Sequence, residues 1–539
     1  MARSQPFTVA CAGGLVTSAN SIDLLRTPGV ATVLQNFEVS IEGGYRRING
    51  FSKFGAGSAV QPTGSTTTIL GTQPYADGVV VTAGTNIYFT QDGITWLTIN
   101  RLSAGGGDNY STFTGKSIAA RTGQGQCQFA MFEGAGQDYG SIIIADGVNE
   151  PFSFRMEGTG ALSTRTYFTS EITVTGTKGV QFITAHDHHL IAAGVTDNEN
   201  TVYYSVNNDP TSFSGSGAGA VTISDKIVGI KGFRTDLFIF CENSIHKLIN
   251  INNSSTVAVV PVAESVGCLS GYSIQEIGGD LIFLAPDGLR TIAGTARIDD
   301  VELSSISRKI LPLVNDIINN FSNYTISSMV IRERSQYRLF YYQSGQATSG
   351  QKGIIGTFKY SSDGIPAFEW SETKGLPVKF CTSDINTSGT EVLHHTDETG
   401  FVYKHDTGNS FDGSNVVAEF QTPDMDYGDN GLRKSLYKVK TNIEPEGTQN
   451  NLNLRIRYDF ESSEVPQPGN FALGNLSSAS LFGSAVFASA TFGATTLPSK
   501  SILVTGSGFS NNFKFFSDDT NAPYSVNGMF VSFIAGGRR

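Results

Sequence analysis

Seven times between residues 79 and 404, an apolar run stops at a polar turn and a second apolar run follows. The clearest copy, GGDLIFLAPDGLRTIAG at 278–294, breaks at Pro286-Asp287-Gly288. Proline presets φ for a turn, aspartate bonds the backbone ahead of it, and glycine accepts the positive φ that closes it. Two such runs make an antiparallel hairpin. A lone hairpin cannot bury its apolar face, so the unit must be repeated or packed. Similar hairpins read at 79–97, 141–154, 190–206, 237–249, 337–360 and 391–404. Their first strands begin at Val79, Ser141, Leu190, Leu237, Leu281, Tyr337 and Glu391, so successive starts lie 62, 49, 47, 44, 56 and 54 residues apart. A period of ~40–50 residues built from short strands is that of β-propeller blades, each a four-stranded sheet. The expected fold is all-β: a β-propeller of about six or seven blades, with a C-terminal β-sandwich-like domain and one short helix.

Length and charge narrow this further. A chain of 539 residues exceeds one compact core and calls for two or more domains. Charged residues are 16%, below the ~25% of an average soluble domain, whereas 36 Phe and 19 Tyr supply ample apolar surface. The 61 glycines follow no three-residue period, which excludes collagen. A formal net charge of −11 opposes tight binding of nucleic acid, which needs Lys and Arg against the phosphates. It suits a passage through which DNA slides with weak adhesion, and equally a solvated surface. The five cysteines, Cys11, Cys127, Cys241, Cys268 and Cys381, are scattered and odd in number, so they read as free, mostly buried thiols. No apolar run reaches ~18 residues, so no transmembrane helix is expected. The opening MARSQPFTVACAGGLV lacks the apolar stretch of a signal peptide, and the expected folding compartment is a reducing cytoplasm.

Three regions follow along the chain: N-terminal strands over 1–55 that could close the propeller, the propeller over 56–410, and a C-terminal β domain over 411–539. In the first, LQNFEVS alternates as one strand and YRRINGFSKF turns at Asn49-Gly50. Within the second, 308–321 breaks the β rhythm. Ile310, Leu313, Val314, Ile317, Ile318 and Phe321 share a helical face, and Pro312 places the start near Leu311. The third region is read as a sheet holding LYKVKTNI, LNLRIRY and the last two strands, interrupted by the Ala/Ser/Phe-rich run FALGNLSSASLFGSAVFASATFGATT.

Few residues suggest chemistry. Thr114-Gly115-Lys116-Ser117 has the end of a P-loop but Tyr110 where the first glycine belongs, so it reads as a polar loop. FTQDGITW at 89–96 approaches the turn of sialidase-like propellers, Ser-x-Asp-x-Gly-x-Thr-Trp. Gly93, Thr95 and Trp96 match, while Phe89 and Gln91 stand where Ser and Asp belong. His186 and His188 would share a strand face, but no third ligand is placed beside them. No catalytic, cofactor or metal residue is assigned, and neither an enzyme nor a cofactor is expected. The basic pairs Arg46-Arg47, Arg433-Lys434 and Arg538-Arg539 read either as ion-paired surface or as contacts to an acidic partner or DNA phosphate. Of these, Arg46, Arg47, Arg433 and Lys434 are the candidate docking residues.

NFEVSIEGGYRRINGFSKF resembles the opening of the tail nozzle proteins of short-tailed bacteriophages, the tail tubular protein B or head–tail stabilisation family. VGCLSGYSIQEIGGDLIFLAPDGLRTIAG, FQTPDMDYGDNGLRKSLYKV and PYSVNGMFVSFIAGGRR resemble later parts of that family. The resemblance implies a structural virion protein, assembled in the host cytoplasm and residing in the tail. It implies a hexameric ring that extends the DNA channel below portal and adaptor, retains the genome and guides its ejection. Implied partners are other copies of the chain, a tail tubular A-type adaptor, tail fibre or spike proteins, and double-stranded DNA in transit. No residue roles carry over, because the matching stretches are turns and strands. Two other classes remain: a glycan-binding or glycan-cleaving propeller, which needs clustered aromatics and carboxylates on one channel face, and a monomeric interaction scaffold.

Overall fold

The structure, a computed structural model, describes residues 4–102, 112–115, 121–134, 137–176, 179–253, 255–292, 305–360, 366–449, 451–474, 476–477 and 499–538. Small antiparallel sheets are arranged as a β-propeller. Six are sheets of their own: blade 1 from Ile69–Tyr75 to Leu97–Thr98, blade 2 from Gln128–Phe132 to Thr166–Glu171, and blade 3 from Val180–His186 to Gly219–Thr222. Blade 4 runs from Ile227–Phe233 to Ala258–Ala263, blade 5 from Gln275–Ile277 to Gly288–Thr291, and blade 7 from Phe380–Ile385 to Val402–Lys404. The remaining position, blade 6, is the front of a nine-stranded sheet, Thr325–Ile331 to Pro366–Lys374.

Every hairpin read from the sequence is the second and third strand of one of these sheets. The second strands of blades 1 to 5 are apolar on both faces because both faces are covered. Ile142 and Ile144 pack toward blade 1, while Ile143 and Ala145 pack toward blade 3. Leu237 and Ile239 face blade 3, and Phe238 and Phe240 face blade 5. Separate clusters also join blades 6 and 7 and blades 7 and 1, which closes the circle. Strands buried on two faces read as continuous apolar runs rather than as alternation. Each fully buried Leu, Ile or Phe contributes about 1.5–3 kcal/mol by leaving water.

Behind blade 6 the nine-stranded sheet continues through Val33–Gln35, Val416–Gln421, Asn511–Asp519, Asn453–Tyr458 and Phe471–Ala472. A second sheet faces this rear half. It combines Ser4–Ala10, Phe37–Val39, Tyr45–Arg47, Leu432–Pro445, Ser499–Leu503 and Tyr524–Arg538. Phe37, Phe420, Leu454, Phe515, Tyr524 and Val531 fill the space between them, giving a β-sandwich. Phe37 lies 6.4 Å from Phe420 and 5.8 Å from Tyr524, centroid to centroid. LYKVKTNI and LNLRIRY therefore lie in opposite sheets, not in one, each paired to a different one of the last two strands. Most of the Ala/Ser/Phe-rich run, including Leu481, Phe482, Val486, Phe487 and Phe492, lies outside the described residues.

LQNFEVS is not one strand. Asn36 adopts φ +55° and splits it between the two sheets. Its amide donates to the carbonyls of Lys374 and Val417, both at 2.8 Å, and its Oδ1 accepts from the Lys374 N–H at 2.9 Å. Asn49-Gly50 is likewise a crossing rather than a hairpin turn. Tyr45–Arg47 belongs to the sandwich, and Ser52–Lys53 pairs with Val402–Lys404 as the outermost strand of blade 7. A Cβ at Gly50 would sit 1.9 Å from the Ser410 carbonyl oxygen, so only glycine fits the crossing. The helix spans Leu311–Asn319 with Pro312 in its first turn. Val314 and Ile317 are buried in the core shared by blades 5 and 6 and the sandwich, and the helix rests against the Gly288–Thr291 strand.

Candidate functional site

Propellers place their ligands and conduits along the axis, where the first strands of the blades meet. Here that axis holds a cavity of about 410 Å³ lined by residues of all seven blades. Its wall is largely amide and hydroxyl, and the groups bond one another. Gln73 donates to Asp384 Oδ2 at 2.7 Å and accepts from Thr382 at 3.0 Å. Gln275 donates to the Ser328 carbonyl at 2.9 Å, and the Ser328 hydroxyl donates to the Tyr272 carbonyl at 2.7 Å. Lys231 projects from blade 4 into the same cavity with Glu276, Asp384 and Arg332 around it. Burial lowers the Lys231 ammonium below its ordinary pKa, while Glu276 and Asp384 act in the opposite direction. Cys127 and Cys381 also line the cavity. Burial pushes both thiols up to about 12, so neither is a thiolate nucleophile at neutral pH.

A second concentration of polar groups lies where the N-terminal strands meet blades 6 and 7. Glu38 is buried and accepts from Arg334 at 2.7 Å, Arg46 at 2.8 Å and Arg338 at 3.0 Å. Asp406 is paired with Arg334 at 3.1 Å and Arg338 at 3.3 Å. Arg338 also donates to His405 Nε2 at 3.0 Å, and His405 Nδ1 lies 3.2 Å from His395 Nδ1. Cavities of about 540 and 200 Å³ flank Arg334.

The candidate docking residues divide sharply. Arg47 is fully buried, paired with Asp519 at 2.6 Å and donating to the carbonyls of Asn409 and Asn521. Lys434 is also buried, its ammonium donating to the carbonyls of Asp429 and Phe509. Both are internal struts, which corrects their reading as docking or DNA-contact residues. Arg46 is spent on Glu38 and Glu446. Arg433 alone of the four is exposed, with its Nε donating to the Ser507 hydroxyl at 3.0 Å. The structure does not bring the four together into one patch: Arg46 sits at the propeller junction and Arg433 beside Ser507 in the outer part of the sandwich sheet.

The histidine reading moves as well. Asp187 and His188 both have positive φ and form the two-residue turn of blade 3, so His186 and His188 do not share a strand face. The histidines that meet are His394, His395 and His405, buried by the N-terminal strand. His394 and His395 are adjacent in sequence, but their burial depends on Phe51 and Phe54, more than 300 residues away. Among the described residues, no group of three or more His, Cys, Asp or Glu side chains is placed to hold a metal ion. In the 89–96 turn, Asp92 does the work expected of position 91. Its Oδ1 accepts from the N–H of Ile94 and Thr95, both at 2.8 Å, so the motif is one residue shorter than its template and structural. Thr112–Gly115 is a short strand parallel to Thr166–Glu171 rather than a loop, and Lys116 and Ser117 lie outside the described residues. Among the described residues no helix is long and apolar enough to cross a membrane.

No protein-family profile and no curated protein matches the sequence. Solved structures are similar only weakly. The extracellular domain of a putative hybrid two-component system from B. thetaiotaomicron is 8% identical over 75% of this chain, with a TM-score of 0.34, and the chain spans 43% of that protein. The AfRom2 CNH domain is 11% identical, with 67% of this chain and all of that domain covered, at a TM-score of 0.34. A RAG chain in complex with one melted and one unmelted RSS is 10% identical, over 65% of this chain and 96% of that one, at 0.33.

Proposed function

We propose that the chain is a structural virion protein, the subunit of a tail nozzle ring of a short-tailed bacteriophage. The ring extends the DNA channel below portal and adaptor, retains the genome and guides its exit. One observation carries the reading beyond the resemblance itself: the stretches that resemble the family converge. Phe37–Val39, Tyr45–Arg47, Leu432–Pro445 and Tyr524–Arg538 lie in one sheet, and Ile277, Ile282, Leu284 and Leu289 of blade 5 share its core. The resemblance thus covers one continuous part of the molecule instead of unrelated turns.

The axial cavity bears on how DNA would pass. At about 410 Å³ and crossed by side-chain hydrogen bonds, it does not admit a duplex whose major groove alone is about 12 Å wide. The conduit in this reading is the opening of the ring, formed between subunits, with the −11 charge of each chain limiting adhesion to the phosphates. Electron microscopy of the chain with its adaptor, or of the assembled particle, is expected to display a closed six-fold ring with an axial opening. A species that stays monomeric with the adaptor present overturns the proposal.

A further inference from the structure

Arginine has only donors, so His405 Nε2 must accept from Arg338 and the His405 proton sits on Nδ1. That proton points to His395 Nδ1, which therefore accepts and leaves the one ring proton of His395 on Nε2, where it finds no partner among the described residues. The relay Arg338–His405–His395 is complete only while both imidazoles are neutral. An added proton on His395 Nδ1 would face the His405 N–H, and one on His405 Nε2 would face the Arg338 guanidinium. The surrounding groups offer no relief. Blade 6 contributes Arg334, Arg338 and the Phe340 ring; blade 7 contributes Tyr403, His394, Lys404 and Asp406; the N-terminal segment contributes Glu38, Arg46 and Phe51. Both carboxylates are already taken by arginines, and Tyr403 is turned to Asp397 at 3.3 Å.

This relay lies under the closure of the propeller. His395 packs against Phe51 at 4.9 Å and stacks on Tyr403 at 5.0 Å, and Phe51 immediately precedes the Ser52–Lys53 strand that completes blade 7. We propose that the His395–His405 pair is an acid-sensitive latch: protonation of either ring breaks the relay and releases the N-terminal strand from blade 7 before the other blades loosen. Burial and the neighbouring charges hold both rings well below the ordinary histidine pKa, so the latch is closed at neutral pH.

Hydrogen-exchange protection factors measured on the full chain at about pH 7 and about pH 4 test this. The expected result is a fall of about tenfold or more at residues 51–53 and 402–405 relative to 190–195 of blade 3. An equal fall at both places overturns the latch. The substitution His405→Gln retains an acceptor for Arg338 but cannot titrate, and it should shrink the acid-induced difference; an unchanged difference also overturns it. Should that variant fail to fold, imidazole nitrogen shifts of the wild-type chain decide. Neutral rings with His405 protonated on Nδ1 support the relay, and any other state at neutral pH removes its basis.

Discussion

The blade ring and the sandwich are built from similar strands but assembled in opposite ways. In blades 1 to 5 the pairing partner of each strand is the next strand along, two to a few tens of residues away, apart from Thr112–Gly115, which pairs in parallel with the last strand of blade 2. In the sandwich, Ser4–Ala10 pairs with residues 528–534, Arg46 with Ser525, and Leu34 with Phe420. The ring needs only correct turns and two-faced apolar strands. The sandwich needs segments hundreds of residues apart to meet, and it fixes them with buried polar contacts at Asn36, Arg47 and Lys434. Because the nine-stranded sheet belongs to both regions, the two should unfold together in spite of this difference.

The largest effect is expected where a buried charge holds distant segments. Arg47→Met leaves Asp519 uncompensated and should cost about 3–5 kcal/mol, with calorimetry showing one lowered transition for both regions. A separate early transition for the sandwich would break the claim that they unfold as one. Leu284→Ala, in the doubly covered strand of blade 5, should cost about 2–5 kcal/mol in a denaturant titration. A loss below about 1 kcal/mol would mean the blade faces are not close-packed.

Acid should weaken the seam where the N-terminal segment packs on blade 7, because His394 lies there against Phe54. Burial, and secondarily Lys404, lowers His394 to about 4, so the folded chain keeps this ring neutral while the unfolded chain takes up a proton below its ordinary value. Its contribution is therefore full above about pH 6.5, declines as pH falls toward 4, and changes no further below that. The loss is on the order of 3 kcal/mol, and His394→Phe should flatten that part of a stability-versus-pH curve. Gly288→Val comes next. Gly288 has φ +142°, and a Cβ there would stand 2.7 and 2.8 Å from the Ser305 and Ser307 hydroxyls. The variant should lose about 1–3 kcal/mol or fail to assemble, as read by thermal unfolding and particle size. Smallest of all, Arg433→Ala should stay within about 0.5 kcal/mol, because its side chain is exposed.

What the sequence reveals follows the same division. All seven hairpins are legible because turn chemistry and a continuous apolar run act over short stretches of chain. The helix is legible because Pro312 and the spacing of Val314 and Ile317 are local. The closure of blade 7 is not, since nothing in SKF announces Val402–Lys404 as its partner. Nor does LQNFEVS show that Asn36 turns left-handed between two sheets. Arg47 and Arg46 look identical in the sequence, and the alternation of one strand puts the first in the core and leaves the second at its margin.

The short strand Val33–Gln35 and its neighbour Asn36 have a consequence in time. Asn36 bonds Lys374, a sequence separation of 338 residues. At ~5–20 residues per second of synthesis, its site is missing for roughly 17–70 s after it is made. During that interval a short strand with free backbone edges is exposed, while blades 2 to 4 already have the neighbours that cover both their faces. The early segment therefore waits longest for its partners, and the sheets that take up residues 4–53 close after those whose strands are neighbours in sequence.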